Sequence, residues 1–468
     1  MHRRWGPRRR SARLLARADL ISELPDDLLL LVLTRLHCAA TAARTGILSR
    51  RGRSLWPRPP RDVPFRSLEA VLGCFPLPPP AVSLIVIRLP KQDNRVPKEQ
   101  RADDEARVNS LLRAAARLEP EMFIFELPSE LIEGSLVVDL PCFHRATTIM
   151  LLLSSVVCSL PAGVEFPALE TLSLSYCTAN IDRLLSCCPR LRTLYLTLVS
   201  FDKDGLTVNS ASLQEIAVVA CRVSNINIVA PVLKQLSMTI HTSEEVSVSA
   251  LAPMVEKVSW HCSWFVAPMF GVWQLDSLKL KTAERQGQLP SLHIHASAYT
   301  VLHGGVDTFA QELEKHMIAK FSVLELHLTA NGHVFGALVF HILGMNLIRC
   351  ATQMLSVDLQ TSEENEECTF DCPCEPTGWR SQMISLTVLE EVEINGFGGD
   401  DHEIDFLKLI FKGAPMLKKV IVKLSDGASS SSDGCTNIYN MFKAYSSVEF
   451  YVYLSSGSML GGQNCPSV

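Results

Sequence analysis

Hydrophobic and polar residues alternate in short bursts through the middle of this chain, and the bursts recur. The units are PALETLSL from Pro167, PRLRTLYL from Pro189, ASLQEIAV from Ala211, PVLKQLSM from Pro231, PMVEKVSW from Pro253 and VWQLDSLKL from Val272. Each runs in one order: a small residue or proline, an apolar anchor, two polar residues, then apolar, polar, apolar. That pattern predicts a turn feeding a short strand whose side chains alternate between two faces. The anchors Leu169, Leu191, Leu213, Leu233, Val255 and Leu275 recur about every 20 to 22 residues, within the range of solenoid repeats. No such unit can bury its apolar edge alone, so the units stack, share one core and line a common sheet. The return between strands is clearest as a helix over Ile181–Cys187.

The same reading extends outward with a weaker pattern. Strands are expected at Val82–Leu89, Phe123–Leu127, Thr147–Leu152, Ser322–Leu328 and Leu355–Leu359. Helices are expected at Ala106–Leu118, Phe309–Ala319 and Val334–Asn346. In the first of these helices Val108, Leu111, Leu112 and Ala115 share one face. The C-terminal part reads strand (Leu386–Asn395), glycine loop, helix around Phe406–Phe411, strand to Leu424. Ala428–Gly434 and the tail from Ser455 read as flexible. Near the N-terminus, Pro25 sits well at a first helical turn, followed by Asp26 and Asp27 where the helix dipole favours negative charge. Leu28, Val32 and Leu36, with Leu29 and Leu33 beside them, make a wide apolar stripe. An alanine-rich helix over Ala39–Leu48 and a short basic element over Ser49–Trp56 close this unit. A proline- and arginine-rich linker then separates it from the repeats.

ISELPDDLLLLVL and ARTGILSRRGRSLW, within Ile21–Trp56, resemble the F-box, which docks adaptor proteins onto Skp1 in cullin-based ubiquitin ligases. One position departs: Gly52 stands where that family usually has tryptophan, which removes an apolar anchor and costs helix propensity of about 1 kcal/mol. LEEVEI, GFGGDDHE, DFLKLIFKGAPMLKKVIV and WRSQ at Trp379 resemble the FBD-type C-terminal region of plant F-box proteins. The layout after residue 20 is similar to plant, grass-type F-box/leucine-rich-repeat proteins. The resemblance implies an α/β fold: a small helical F-box followed by an irregular leucine-rich-repeat solenoid, a curved parallel sheet with helical or irregular returns. It divides the chain into a basic tail (1–19), F-box (20–57), linker (58–81), solenoid (82–380), FBD-like repeats (381–454) and a tail (455–468). It implies a substrate-recognition adaptor in which Leu24, Pro25, Leu28, Leu29, Val32, Leu33, Leu36, Leu48 and Trp56 build or contact the Skp1 surface. Skp1 would bring a cullin, and the solenoid would hold a target protein. Gly52 keeps a second expectation open, a repeat scaffold with a weakened F-box acting outside a ligase.

Composition narrows the rest. Net charge is −5, from 44 basic and 49 acidic residues, so no overall basic excess points to nucleic acid. The arginines between Arg3 and Arg17 are local; they read as a solvated tail, with a nuclear-localisation patch as the alternative. No apolar run approaches the roughly 20 residues that span a bilayer, and no membrane partner is expected. The 15 cysteines are scattered, as in Cys158, Cys177, Cys221 and Cys350, mostly inside apolar stretches. This suits buried thiols and a reducing, intracellular compartment, nucleus or cytoplasm. Adjacent Cys187 and Cys188 read as core. Cys368, Cys372 and Cys374 sit in an acidic loop, but no second ligand pair follows and His402 is distant. No metal and no cofactor are therefore expected. Asp400, Asp401, Glu403 and Asp405 around His402 read as a helix start. No phosphate loop, dinucleotide fingerprint, zinc-protease motif or nucleophile elbow is present, so no catalytic residue is assigned and no enzyme is expected.

Overall fold

The computed structural model describes residues 82–89, 101–127, 136–201, 205–243, 245–282, 288–299, 308–360, 378–425 and 447–463, with a few single positions between them. Contacts divide the chain into two compact units, Met1–Pro80 and Ala81–Val468. The described residues fall almost wholly in the second. The basic tail, the F-box and nearly all of the linker lie outside them, as do Ala428–Gly434 and residues 464–468.

Among the described residues the repeat pattern builds a 19-stranded sheet. Its spine follows chain order. First come β1 (Leu84–Arg88), β2 (Met122–Leu127), β3 (Thr148–Ser159), β4 (Thr171–Ala179), β5 (Thr193–Thr197), β6 (Glu215–Cys221), β7 (Gln235–Thr242) and β8 (Lys257–Trp264). Then come β9 (Trp273–Lys281), β10 (Ser291–Ala298), β11 (Val323–Thr329), β12 (Met354–Gln360), β13 (Glu391–Phe397), β14 (Lys419–Leu424), β15 (Glu449–Tyr453) and β16 (Met459–Gln463). From β1 to β8 and from β10 to β15 each strand pairs in parallel with the next. The repeated small-residue-plus-anchor signature becomes a repeated turn. The amides of Leu169, Leu191, Leu233, Val255, Leu389 and Leu417 each donate to the carbonyl three residues earlier, just before a strand. Alternation then drives one set of side chains into the core. Leu169, Leu191, Leu213, Leu233 and Leu275 are buried, while Val255 is only half-buried.

Parallel neighbours require a return across the core side, and the returns change character along the array. Helix α1 (Arg101–Ala116) buries Val108, Leu111, Leu112 and Ala115, the face read from sequence. Helix α2 (Ile181–Ser186) is capped by Asn180, whose Oδ1 accepts from the amide of Arg183 at 2.9 Å. The next three returns are strands rather than helices or irregular segments. Gly205–Asn209, Asn225–Val229 and Ser247–Leu251 form a separate three-stranded parallel sheet. Helical returns resume with α3 (Phe309–Lys315), α4 (Gly336–Gly344), α5 (Asn346–Ala351) and α6 (Asp401–Gly413).

Two strands depart from the expected parallel array. The unit at Val272 keeps the apolar order of its predecessors, yet β9 runs antiparallel to both β8 and β10. A tight reversal sets it: Met269 and Phe270 pair back onto Gln274 and Trp273 around Gly271, which has φ +58°. Side-chain alternation is blind to strand direction, so the sequence order survived the inversion. At the end, residues 455–463 are not a flexible tail. β16 pairs antiparallel with β15 after a turn at Gly457 (φ +81°) and covers that strand's edge.

A buried polar network ties α3 to the sheet beside the inverted strand. Trp260 Nε1 donates to His316 Nδ1 at 3.0 Å, and His316 Nε2 lies 3.2 Å from Glu312 Oε1. His316 and Glu312 are almost fully buried. Lys315 Nζ completes the set at 2.9 Å from Glu312. The carboxyl of Glu312 is held below its usual range: hydrogen bonds from His316 and Lys315 outweigh the opposing effect of burial.

Candidate functional site

The apolar strand positions face the core and its returns. The intervening positions form an open face across the whole sheet, and cross-strand register orders them into rows. The face changes along its length. Over β1–β3 it is apolar: Leu84, Val86, Met122, Met150 and Leu152 are 37–42% exposed. Over β8–β12 it is rich in histidine and charge. One row runs His261, Lys279, His293, Glu325, and its neighbour runs Ser263, Ser277, His295, His327, Asp358.

Contacts within this second region are close. His293 Nδ1 lies 3.1 Å from Glu325 Oε2, and His327 Nε2 lies 3.9 Å from the same oxygen. His327 Nδ1 lies 3.3 Å from Asp358 Oδ2, and His293 Nε2 lies 2.9 Å from Ser291 Oγ. The rings of His295 and His327 stack with centroids 4.4 Å apart. Loss of solvation is the leading cause that lowers His261, His293 and His295, with cationic neighbours such as Lys279 adding to it. Glu325 pulls His293 the other way, and His295 is pushed down to about 4. These three imidazoles are therefore neutral at pH 7. Sequence reading missed this cluster. The HxH of SLHIHAS and the ExH of LELHL carry the signal, but it becomes a site only once register sets the two strands side by side.

The cysteine-rich loop finds a different partner from the one weighed in sequence. Cys372 Sγ lies 3.2 Å from His333 Nδ1, and ligand atoms of His333, Cys372 and Cys374 lie within 4.8 Å of one another. Cys368 lies outside the described residues. His402 packs its ring against Phe335 instead. Cys158, Cys177 and Cys188 are buried, and burial pushes their thiols up to about 12, so they are inert at neutral pH. Cys221 and Cys350 are exposed, unlike the burial expected from their apolar surroundings. Asp400 N-caps α6, and Glu403 accepts the amides of Gly399 and Asp400 at 2.6 and 3.0 Å. The acids near His402 thus serve the helix start, as read from sequence.

The nine expected docking residues, Leu24, Pro25, Leu28, Leu29, Val32, Leu33, Leu36, Leu48 and Trp56, all lie outside the described residues. The comparisons with known families bear on the rest of the chain. Residues 112–256 match the family model described as "FBD-associated F-box protein At5g56370, LRR repeats", and residues 386–422 match that of the FBD. The chain carries an FBD and the leucine-rich repeats of FBD-associated F-box proteins. The matched repeats run from within α1 to the turn before β8, and the FBD from the turn before β13 to within β14. The FBD is therefore a strand–helix–strand part of the same ladder, joined to the preceding strands by parallel pairing. No curated protein and no solved structure gives a significant match. Among the described residues no helix is long and apolar enough to cross a membrane.

Proposed function

We propose that this chain is the substrate-recognition adaptor of a Skp1–cullin–F-box ubiquitin ligase. The observation that carries the reading is the coincidence of leucine-rich repeats and an FBD, both of the F-box-associated kind, on one continuous sheet. The motif at Ile21–Trp56 supplies the docking end. Leu24, Pro25, Leu28, Leu29, Val32, Leu33, Leu36, Leu48 and Trp56 form its Skp1 surface, and Skp1 links it to the cullin. A few fully buried leucines, each worth about 1.5–3 kcal/mol, dominate such an interface. The open sheet face holds the target protein, with an apolar region over β1–β3 and a histidine-rich, charged one over β8–β12. The mechanism is proximity: the target is held where a ubiquitin-loaded enzyme reaches it, and this chain breaks and forms no bonds itself. Its place of action is inside the cell, in the nucleus or cytoplasm.

Skp1 capture tests this directly. Intact chain retains Skp1 at micromolar concentration, and Leu28→Asp with Val32→Asp abolishes retention. Failure of the intact chain to retain Skp1 overturns the ligase reading. Restoring the family's tryptophan with Gly52→Trp tightens capture if the interface is the F-box one. A chain that binds only after that change is a scaffold with a weakened F-box.

A further inference from the structure

The histidine-rich stretch of the open face has a geometry that cross-strand packing alone does not require. Glu325 Oε2 is approached by two imidazole nitrogens, His293 Nδ1 at 3.1 Å and His327 Nε2 at 3.9 Å. Two ligand atoms on a tetrahedral zinc, each about 2.0–2.1 Å from the metal, stand roughly 3.3 Å apart. The observed spacings bracket that value, and the ligand atoms of all three residues lie within 4.8 Å of one another. The outer nitrogen of each imidazole is also held. Asp358 Oδ2 lies 3.3 Å from His327 Nδ1, which leaves Nε2 on the side of Glu325. Ser291 Oγ lies 2.9 Å from His293 Nε2, which leaves His293 Nδ1 facing the same carboxylate. A metal-ligating histidine characteristically has its second nitrogen engaged in this way, which fixes tautomer and ring orientation.

His327 raises the question most sharply. Its ring lies between two carboxylates, with Nδ1 toward Asp358 and Nε2 toward Glu325. A divalent cation between Nε2 and Glu325 balances part of that negative charge. Register holds the groups together: His293 pairs with Glu325, His327 pairs with Asp358, and Glu325 and His327 are two residues apart on one strand. Two carboxylates offset the cationic neighbour Lys279, which pairs with His293 across the sheet. The three side chains are 22–33% exposed, so a bound ion keeps open coordination positions toward solvent.

We propose that His293, Glu325 and His327 bind a divalent transition-metal ion of the zinc type, with Asp358 and Ser291 orienting the two imidazoles. Two histidines and one carboxylate with open positions suit zinc, cobalt or ferrous iron more than calcium or magnesium. The open positions then accept a carboxylate or imidazole from whatever occupies this face. The site does not depend on the ligase reading, and its test does not involve Skp1.

Metal-free full-length chain is titrated with zinc by calorimetry and with cobalt by absorption. A cobalt site of imidazole and carboxylate gives weak visible bands without the near-ultraviolet thiolate band. That separates it from any ion held at Cys372 and Cys374. His327→Gln and Glu325→Gln each lose one zinc equivalent together with the thiolate-free cobalt spectrum. Asp358→Asn keeps the equivalent but binds about 10- to 100-fold more weakly. In the unaltered chain, zinc protects His293 and His327 from carbethoxylation, a readout that does not rely on any variant folding. Equal zinc uptake by parent and His327→Gln, or unchanged carbethoxylation with and without zinc, overturns the proposal. In that case the cluster is a hydrogen-bonded row without an ion.

Discussion

Trp260 and His316 show how much one side-chain pair contributes to this array. The indole is fully buried, and its N–H supplies the donor that His316 Nδ1 needs. Trp260→Phe keeps an aromatic ring but leaves that nitrogen buried without a donor, a loss of about 1–3 kcal/mol. A urea unfolding curve checks this: the midpoint falls while the slope stays constant. Single glycines are equally specific. Gly396 has φ +78°, and a Cβ there would run into the carbonyl of Leu359, so the bulge between Asn395 and Phe397 admits no other residue. Gly336 lies under the Trp379 ring, with 2.5 Å between that ring and where a Cβ would stand. Trp379 and the glycines of GFGGDDHE thus act through packing and backbone shape.

Among elements, α6 is the one whose stability depends most plainly on pH. Burial pushes the Glu403 carboxyl up from 4.5 to about 7, against the amides of Gly398, Gly399 and Asp400 that favour the charged form. The sign follows from proton binding. Between about pH 4.5 and 7 the folded chain keeps a proton that the unfolded chain has released, so stability falls as pH rises through this window. Below 4.5 both states hold the proton and nothing is lost. The full effect is about 3 kcal/mol at 1.36 kcal/mol per unit. Denaturant midpoints measured at pH 5 and pH 7.5 drop for the parent chain, and Glu403→Gln removes most of the drop. The start of this helix was legible in the sequence because its cap and acids are local. Most spine strands were legible for the same reason, since alternation is a short-range property. The strand returns at Gly205–Asn209, Asn225–Val229 and Ser247–Leu251 were not, because sequence period alone does not tell a short extended return from an irregular one.

Across the whole molecule, what escaped the sequence is what depends on neighbours distant in the chain. The histidine–carboxylate group draws on β10, β11 and β12, and Cys372 meets His333 across 39 positions. No local pattern places those partners together. The inversion at β9 escaped for a different reason, since alternation is blind to strand direction, and it has a bearing on how the chain folds. A parallel pair forms only after a long return closes, whereas β8, β9 and β10 are neighbours joined by short connections. Loop closure is least costly there, and low-separation contacts form fastest. This meander is the natural nucleus, from which two parallel wings zip outward, toward β1 on one side and β15 on the other. Pulse-labelled hydrogen exchange during refolding reads the order. Amides of residues 257–298 gain protection first, and those of β1 and β15 gain it last. Protection appearing first at either end would place the nucleus in a wing instead.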